Sequence, residues 1–429
     1  MEKKVVLGME LNRRFLQISY APEGGAPATL HMPASDELLM LPLCIGREKG
    51  SNRWYYGEDA AEQFSLHKEN MACDLLDHQG EKVMLGSEQY TYGELLHLFM
   101  GHGIRMAMHD MEEIEKCAVS IMALTISVEP FPEDRLEELE AILANLPVPK
   151  GQIRVQRNED SLFSYLSHQP EKLLGYVTGV FDLTDEKMVA YCMEMNPRTS
   201  PVVTSIERDD DTGIVKKKHY PSITEHDRAL AELDLRLAEY VMHFTAGRIV
   251  TSIYLIGDGF SSNWYEQSRR LLCKNRKVYA GNNLFSKGAA FSASERIWPG
   301  MQTEDFLFLG KDMLRCNIGL SVVEDSAEGY LPLLDAGTSY YDAQCETQVL
   351  LEQADEIRLQ IQPIFSGKSY EEVLKLDMDQ ERPGRSFSFL LQLSMSDAKT
   401  LKVVVKDEGF GRFYPPQLPK KEFTVTLKD

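Results

Sequence analysis

The pattern of apolar residues in this chain changes near residue 310. Before that point, strand-like runs alternate with longer segments of helical spacing, and after it short alternating runs are separated by turns. Gly329, Gly337 and Pro383-Gly384 mark three of those turns. The change predicts an α/β region over residues 1–302 and an all-β sandwich over residues 312–429. More than one domain is expected in any case, because 429 residues exceed what one hydrophobic core normally holds.

An apolar segment joins the two regions. Phe306-Leu307-Phe308-Leu309 lies within residues 303–311, where an interdomain linker is expected. A linker normally carries polar residues because it stays in water. Four consecutive apolar residues therefore predict a linker that docks on a domain surface in some states. The alternative is an ordinary buried strand.

The α/β region repeats one order of elements. Residues 5–20 are typical of two strands around a turn at residues 11–14, and residues 174–195 of two strands around a turn at residues 182–186. Helices and a further strand follow each pair. The repeat predicts two lobes around a cleft, lobe I over about residues 1–172 and lobe II over about residues 173–302. A third hairpin is expected over residues 202–222.

Charge and composition argue against several classes of partner. The net charge is −20, and an acidic surface repels phosphate backbones, so nucleic-acid binding is not expected. The longest apolar run, residues 117–128, is too short to span a bilayer, so no membrane contact is expected. The first residues enter a strand without a signal-peptide core, and the 7 cysteines contain no C-x-x-C pair. These cysteines are therefore expected to be thiols in a reducing cytoplasm.

The order of these elements, with the apolar linker, resembles the heat shock protein 70 family of chaperones on the actin-like ATPase fold. The resemblance spans almost the whole chain and depends on order and spacing, since no single motif is strong. In the α/β region it is carried by residues 6–11, 56–61, 158–159, 180–183, 255–259 and 288–290. In the β region it is carried by residues 312–319, 354–367, 383–385, 396–398 and 403–409. The resemblance implies a two-lobed nucleotide-binding fold followed by a peptide-binding β-sandwich.

The resemblance also implies a site for Mg-ATP in the cleft. If that site is active, Glu10, Glu159 and Asp182 would surround the magnesium ion, mostly through water, with Glu10 and Asp182 nearest to it. The positions that correspond to phosphate-binding and adenosine-binding turns are Gly8, Asn12, Arg13, Arg14, Thr184, Gly257, Asp258 and Gly259.

Both phosphate turns depart from the family pattern. The first should carry an Asp, a Gly and two Thr, and the second should read Asp-x-Gly-Gly-Gly. In this chain the first carries Glu10, Asn12, Arg13 and Arg14, and the second continues from Asp182 as Leu183, Thr184, Asp185 and Glu186. Without glycine, backbone amides cannot approach phosphate oxygens as closely, and the added carboxylates repel them. Residues 71–76 also lack the family's catalytic lysine.

These departures leave two roles open for the arginines of the first turn. Arg13 or Arg14 would contact a nucleotide phosphate in place of the lost amides. Alternatively, either arginine would neutralise Asp182 or Glu10 and close the cleft with a salt bridge. We favour the closed cleft.

In the β region, Ile357, Leu359 and Ile361 alternate and therefore share one face of a strand. The resemblance places them at the apolar floor of a peptide groove, and ordinary sandwich core explains the alternation equally well. The family's groove is covered by a helical lid after the β-sandwich, whereas this sequence ends at residue 429, so we expect peptide to be held without a lid.

The sequence therefore predicts a chaperone-like protein with a degenerate nucleotide site, which acts as a protein- or peptide-binding or scaffolding factor. The first alternative is a divergent but active ATP-dependent chaperone that uses Mg-ATP. The second is a structural subunit paired with another chaperone of the same family.

Overall fold

The computed structural model describes residues 2–32, 35–65, 68–78, 80–170, 176–184, 187–196, 200–217, 222–299, 306–324, 327–352, 356–364, 368–376, 386–397, 399–409, 415–416 and 419–428. The protein is a mixed α/β structure with several sheets and an all-β C-terminal region. It divides into two compact units. The first comprises Met1–Pro197 and Ile206–Asp305, and the second comprises Arg198–Ser205 and Phe306–Asp429. Residues 185–186 of the second turn and 303–305 of the predicted linker lie outside the described residues.

The N-terminal part of the first unit is built from these elements: β1 Lys3–Asn12, β2 Phe15–Pro22, β3 Ala28–Thr29, β4 Leu41–Pro42, β5 Ile45–Arg47, β6 Trp54–Tyr56, α1 Glu58–Gln63, β7 Met71–Ala72, β8 Lys82–Leu85, β9 Glu88–Thr91, α2 Tyr92–Glu115, β10 Val119–Glu129, α3 Leu136–Leu143, β11 Ile153–Gln156 and α4 Asn158–Ser167. Short 3₁₀ turns occupy Lys68–Asn70 and Glu133–Arg135.

The C-terminal part of the first unit continues with β12 Val177–Asp182, β13 Val189–Asn196, the second half of β14 Val202–Asp209, α5 Ile223–Thr245, β15 Val250–Ile256, α6 Glu266–Leu272, β16 Lys277–Ala280 and α7 Leu284–Ile297. Residues 202–205 of β14 belong to the second unit. A 3₁₀ turn at Asp258–Phe260 follows β15. The second unit contains β17 Phe306–Phe308, β18 Cys316–Glu324, β19 Ala327–Leu334, β20 Gln344–Glu352, β21 Glu356–Pro363, β22 Tyr370–Lys375, β23 Ser386–Asp397, β24 Thr400–Asp407 and β25 Lys421–Thr426.

The first large sheet has the strand order β11-β10-β1-β2-β3, with β4 also paired to β2. The antiparallel hairpin β1–β2 is the predicted one, and β10 adds to β1 in parallel. Strands β1 and β10 are buried along almost their whole length, which agrees with their continuous apolar sequence. Helix α2 covers this core with ten buried residues and begins at a capping box in which Thr91 and Glu94 bond each other's backbone N–H groups.

The second large sheet contains the order β16-β15-β12-β13-β14. The antiparallel hairpin β12–β13 is again as predicted, and β15 adds to β12 in parallel. The predicted hairpin over residues 202–222 is wrong for the residues that the structure describes, 202–217 and 222. Strand β14 ends at Asp209, and in the described part of the returning segment Val215 forms an isolated bridge with Lys187 and not with β14.

Small residues in α7 let it approach its neighbours closely. A Cβ added at Gly288 would lie 1.8 Å from the Ser161 carbonyl oxygen of α4. A Cβ added at Gly8 of β1 would lie 2.0 Å from the Ala290 nitrogen of α7. Gly8 was expected in a phosphate turn. The structure corrects this: Gly8 lies mid-strand, and its missing side chain makes room for the α7 backbone.

The apolar segment at Phe306–Phe308 is a strand of the second unit. Residues Val202–Thr204 of the same unit pair with it in parallel, and the Leu309 N–H donates to the Thr204 carbonyl oxygen at 3.0 Å. Phe308 and Leu309 are buried. Phe306–Phe308 is therefore a packed strand, which is the alternative that the sequence left open.

The rest of the second unit, residues 312–428, is called the β module below. Its two sheets have the orders β19-β18-β21-β22 and β20-β23-β24-β25. Ile357, Leu359 and Ile361 of β21 are at most 3% exposed and belong to one core cluster with Phe389 and Leu391 of the other sheet. The prediction that these three form a peptide floor is therefore wrong. They are sandwich core, which a bound peptide cannot reach.

Two further observations bear on the sequence predictions. Cys44 and Cys73 form a disulfide, so the expectation that every cysteine is a thiol is wrong for this pair. Within the described residues, no helix is long and apolar enough to cross a membrane.

Candidate functional site

The turn between β1 and β2 is held by the side chain of Asn12. Its Oδ1 accepts hydrogen bonds from the Arg14 N–H at 2.9 Å and the Phe15 N–H at 3.0 Å. Its Nδ2 donates to Glu10 Oε1 at 3.1 Å. A side-chain amide thus forms the turn without glycine. Because Asn12 uses the turn's backbone N–H groups, they are not aimed outward at an anion.

The turn after β12 is held in a similar way by Asp182. Its Oδ1 accepts the Thr184 N–H at 2.9 Å and also the Thr184 hydroxyl. The Leu183 N–H donates to the Ile256 carbonyl at 2.9 Å. This turn therefore lies on the end of β15, and the amides of Leu183 and Thr184 are bonded within the protein.

The contact between the turn after β12 and the end of β15 requires a glycine at Gly257. Its φ is +95°, and a Cβ there would lie 2.3 Å from the Leu183 carbonyl carbon. The Gly259 N–H donates to the Leu183 carbonyl oxygen at 3.0 Å, and a Cβ at Gly259 would lie 2.2 Å from the Leu183 Cγ. Both glycines were expected in an adenosine-binding turn. In the structure their missing side chains accommodate the Leu183–Thr184 backbone.

Arg14 connects the two turns. Its guanidinium donates to the Thr184 carbonyl oxygen, and its Nη2 lies 3.0 Å from Asp258 Oδ2. Arg13 points elsewhere and pairs with Asp77 at 2.9 Å. The sequence predicted a salt bridge from one of these arginines to Asp182 or Glu10. Arg14 does form a salt bridge, but the predicted acid is wrong. Its partner is Asp258, on the turn after β15.

Two cavities lie on either side of Arg14. The larger, about 260 Å³, is lined mainly by apolar residues and is called the apolar cavity; the other, about 240 Å³, is lined mainly by charged and polar residues and is called the polar cavity. Both are lined by Glu10, Arg14 and Thr184, and each is smaller than a typical ligand pocket of about 300–1,000 Å³. The apolar cavity is completed by Phe15, Met40, Pro42, Ile256, Gly257, Asp258, Asn282, Leu284 and Phe285. The polar cavity is completed by Asn12, Arg13, Glu129, Pro130, Asn158, Asp182, Lys187, Val189, Arg208 and Asp210.

The cations around the polar cavity are each paired with an acid: Arg13 with Asp77, Arg14 with Asp258, Lys187 with Asp211 at 3.5 Å, and Arg208 with Glu129. The last pair is bidentate, with N–O distances of 2.7 and 2.8 Å. Bidentate pairs are the strongest of the charge-assisted contacts. Sequence reasoning missed Arg208 and Glu129, since they lie 79 residues apart and belong to no recognisable motif.

The predicted magnesium-binding acids are all buried. Burial, and then the neighbouring Asp182, raise the pKa of Glu10 to about 8. Burial raises the pKa of Asp182 to about 6, against the hydrogen bonds from Thr184. Burial also raises the pKa of Glu159, which lies at the N-terminal end of α4 and does not line either cavity. At neutral pH Glu10 is thus mostly protonated, which makes it a poor ligand for a divalent cation.

Among the described residues, no group of three or more His, Cys, Asp or Glu side chains is placed to hold a metal ion. The site brings together Glu10, Asn12, Arg14, Asp182, Thr184, Gly257 and Asp258. Arg13 lines the polar cavity but is held by Asp77, and Gly8 and Glu159 lie outside the lining of both cavities.

The fold and site define an α/β protein with two sheets, each of which contains an antiparallel hairpin. Two cavities lie beside the turns of these hairpins and share Arg14 as a lining residue, and a β module follows in the chain. A family model described as "Family of unknown function (DUF5716) C-terminal" matches residues 26–311, most of the chain, and the protein belongs to this family. A second model, described as "Domain of unknown function (DUF8552)", matches residues 313–427, which is the β module. No curated protein matches the chain.

Proposed function

We propose that this protein is a two-lobed, actin-like relative of the heat shock protein 70 chaperones that has lost ATP hydrolysis and acts by binding protein. The observation that carries the proposal is the bridge from Arg14 to Thr184 and Asp258. It joins the turns where a triphosphate would have to lie. We propose a cytoplasmic location and protein or peptide partners, with another chaperone of the same family as one candidate partner and with no nucleic acid or membrane.

The strand order supports the two-lobed fold. Read from its hairpin edge, the first sheet runs β3-β2-β1-β10-β11 and the second runs β14-β13-β12-β15-β16. In each sheet the hairpin is antiparallel, and the last two strands join in parallel. The same order in both sheets is what two lobes of duplicated origin would have.

Electrostatics support the loss of phosphate binding. A triphosphate needs donors and unengaged positive charge. Here Asn12 accepts the Arg14 and Phe15 N–H groups, Asp182 accepts the Thr184 N–H group, and acids hold the cations around the polar cavity. Asp182 is deprotonated above about pH 6 and would repel an entering phosphate. Binding would require both Arg14 contacts to break.

The architecture supports a binding role instead. The β module keeps a continuous two-sheet core from Leu314 to Leu427, although the nucleotide site has changed. A well-packed module is needed only if its surface is used. Because the β21 side chains are core, the protein-binding surface lies elsewhere on this module or on the first unit.

Calorimetric titration of the full chain with Mg-ATP and Mg-ADP tests the loss of nucleotide binding. We expect no saturable heat up to about 1 mM nucleotide, which corresponds to a binding free energy weaker than about −4 kcal/mol. Phosphate release should equal that of a protein-free blank. Micromolar binding with measurable turnover would refute the proposal and establish the active ATPase.

Two arginine variants distinguish between the two roles left open for the arginines of the first turn. If Arg14 closes the cleft, Arg14→Ala leaves nucleotide affinity unchanged or raises it. If Arg14 replaces the lost amides, the same substitution abolishes binding that the wild type shows. Arg13→Ala is the matched control, because Arg13 pairs with Asp77 and makes no bridge.

Protein binding is tested with a chemically denatured reporter that aggregates on dilution. The full chain at an equimolar ratio should slow its aggregation, and Mg-ATP should make no difference. Serum albumin at equal mass controls for non-specific crowding. Absence of any effect at tenfold excess would argue against a client-binding role and favour the structural-subunit alternative.

A further inference from the structure

The four end strands of the β module are not equally protected. An end strand presents unpaired backbone N–H and C=O groups, which can pair with another chain. Proteins usually block such edges with proline, lysine, a bulge or a short strand. Strand β19 contains Pro332 and has a register shift opposite Gly319. Strands β22 and β25 each have only 6 residues and contain Lys375 and Lys421 respectively.

Strand β20 has none of these features. It is an end strand with 9 residues, the sequence QCETQVLLE, and no proline, glycine, lysine or arginine. Its register with β23 is regular from Gln344 to Glu352. Thr347 to Leu351 form an uncharged run rich in residues that favour strands. Among the described residues no strand pairs with its outer edge, and a long, regular edge of this kind is expected to be covered in the working protein.

The direction of the free backbone groups follows from the register. The Met395 N–H donates to the Ala343 carbonyl oxygen, so odd-numbered residues of β20 bond to β23. The backbone groups of Glu346, Gln348 and Leu350 therefore point away from the sheet. Their side chains are exposed, and Leu350 is 66% exposed.

The core side of β20 also has apolar surface to cover. Cys345, Val349 and Leu351 pack against the sandwich core, yet each remains half-exposed at its rim. Extending the sheet by one strand would cover them. An added strand with the same alternation would place apolar residues on this side and polar residues on the other.

We propose that β20 pairs in antiparallel fashion with β20 of a second copy of this chain, around a two-fold axis at Gln348. All nine residues then overlap. Glu346 lies opposite Leu350 of the second copy, and Glu352 lies opposite Gln344, so no two carboxylates oppose each other. A two-fold axis at Glu346 would instead place two carboxylates directly opposite. The two four-stranded sheets become one continuous sheet, and the interface is isologous.

The net charge sets the salt dependence of this dimer. Each copy carries −20, so the two copies repel each other at low ionic strength. Screening shortens the range of that repulsion to about 8 Å at 0.15 M salt. We therefore expect the dimer to be stronger in 0.5 M NaCl than in 0.05 M NaCl.

Sedimentation equilibrium of the full chain between about 1 and 200 µM tests the dimer. The expected result is a monomer–dimer equilibrium whose dissociation constant rises at least tenfold in Leu350→Glu, which places a second carboxylate opposite Glu346, and in Gln348→Pro. The proline removes only an outward N–H and leaves the β23 ladder intact. Val373→Glu is the matched control at another exposed apolar residue, 42% exposed on β22, and should leave the dimer unchanged. A monomer at every concentration, or a dimer insensitive to both β20 substitutions, overturns the proposal.

Disulfide trapping tests the register independently of the folding of those variants. In a background of Cys273→Ser and Cys345→Ser, Gln348→Cys should form an intermolecular disulfide on mild oxidation. Directly opposed residues of a hydrogen-bonded pair have Cα atoms about 5.5 Å apart, within disulfide reach. Leu350→Cys, which lies opposite Glu346 and not itself, should cross-link at least tenfold more slowly. Equal cross-linking at both positions, or at neither, overturns the register.

Discussion

Arg14 and Asp258 form an ion pair across 244 residues of sequence, with Nη2 and Oδ2 separated by 3.0 Å. The first lies on the turn after β1, and the second lies directly after β15 and Gly257. The same guanidinium also binds the Thr184 carbonyl, so one side chain joins three turns. One arginine therefore links the ends of β1, β12 and β15.

The bridge should contribute to stability only modestly. Arg14 and Asp258 side chains are 34% and 50% exposed, so solvent weakens their attraction. We expect Asp258→Asn to lower the free energy of unfolding by about 0.5 kcal/mol, and Arg14→Ala by about 1.5 kcal/mol because the Thr184 carbonyl also loses its donor. Urea unfolding of both variants and the double variant gives the coupling energy. A coupling near zero would mean that the pair does not hold the turns together.

The buried carboxyls predict that the first unit loses stability as pH rises. The pKa of Glu10 is about 8 in the folded protein and lies near 4.5 when the side chain is free in water. Its protonated form is therefore favoured by folding, and this stabilisation is lost as pH rises from about 4.5 through 8. The size of the effect is on the order of 5 kcal/mol. Asp182, with a folded pKa of about 6, adds to it at lower pH.

Glu10→Gln tests this pH dependence. Glutamine keeps an acceptor for Asn12 and cannot ionise, so the variant should match the wild type at pH 5 and be more stable at pH 8.5. Thermal and urea unfolding at both pH values give the difference. Glu23→Gln, at an exposed glutamate, is the control and should show no such gain. Equal stability of wild type and Glu10→Gln at pH 8.5 would contradict a neutral Glu10.

Much of the fold could be predicted because it depends on local patterns. The two hairpins β1–β2 and β12–β13 were predicted from strand-like runs around turns, and helices were expected after each of them. The prediction of a third hairpin, over residues 202–222, was wrong because the returning chain bonds to a different neighbour. Thr212 donates to the Met188 carbonyl, and the Met188 N–H donates to the Ile214 carbonyl, so the returning chain lies beside the start of β13. Sequence alternation does not specify which neighbour a strand chooses.

The site was only partly predictable, because its key contacts join distant residues. The two turns and their missing glycines were visible in the sequence, and the structure does bring Glu10, Arg14, Asp182 and Thr184 together. The acid that pairs with Arg14 could not be identified from the sequence, since any acid near these turns could form a salt bridge with an arginine. Likewise, alternation in β21 fits a groove and a core equally, and only the opposing sheet decides between them.

The disulfide between Cys44 and Cys73 should stabilise the first unit under oxidising conditions. It closes a loop with a sequence separation of 29 residues, and the loss of chain entropy predicts about 3–4 kcal/mol. We expect dithiothreitol to lower the unfolding temperature of the wild type and to leave Cys73→Ser unchanged. Cys273→Ser, at an exposed free cysteine, is the control and should respond like the wild type. Insensitivity of the wild type to reductant would restore the expectation of free thiols.

Gly257 provides the sharpest test of how the two turns are packed. Gly257 and Gly247 both have positive φ, +95° and +71°, but only Gly257 has backbone atoms where a Cβ would lie. Gly247→Ala should therefore cost about 1 kcal/mol, the price of a left-handed conformation alone. Gly257→Ala adds a clash with the Leu183–Thr184 backbone, which belongs to the turn that Asp182 holds, so we expect a loss of about 3 kcal/mol or more. Urea unfolding measures both. If the two substitutions lower the free energy of unfolding equally, Gly257 does not contact the Leu183–Thr184 backbone. The Thr184 carbonyl oxygen would then lie out of reach of Arg14, and the bridge described above would not form.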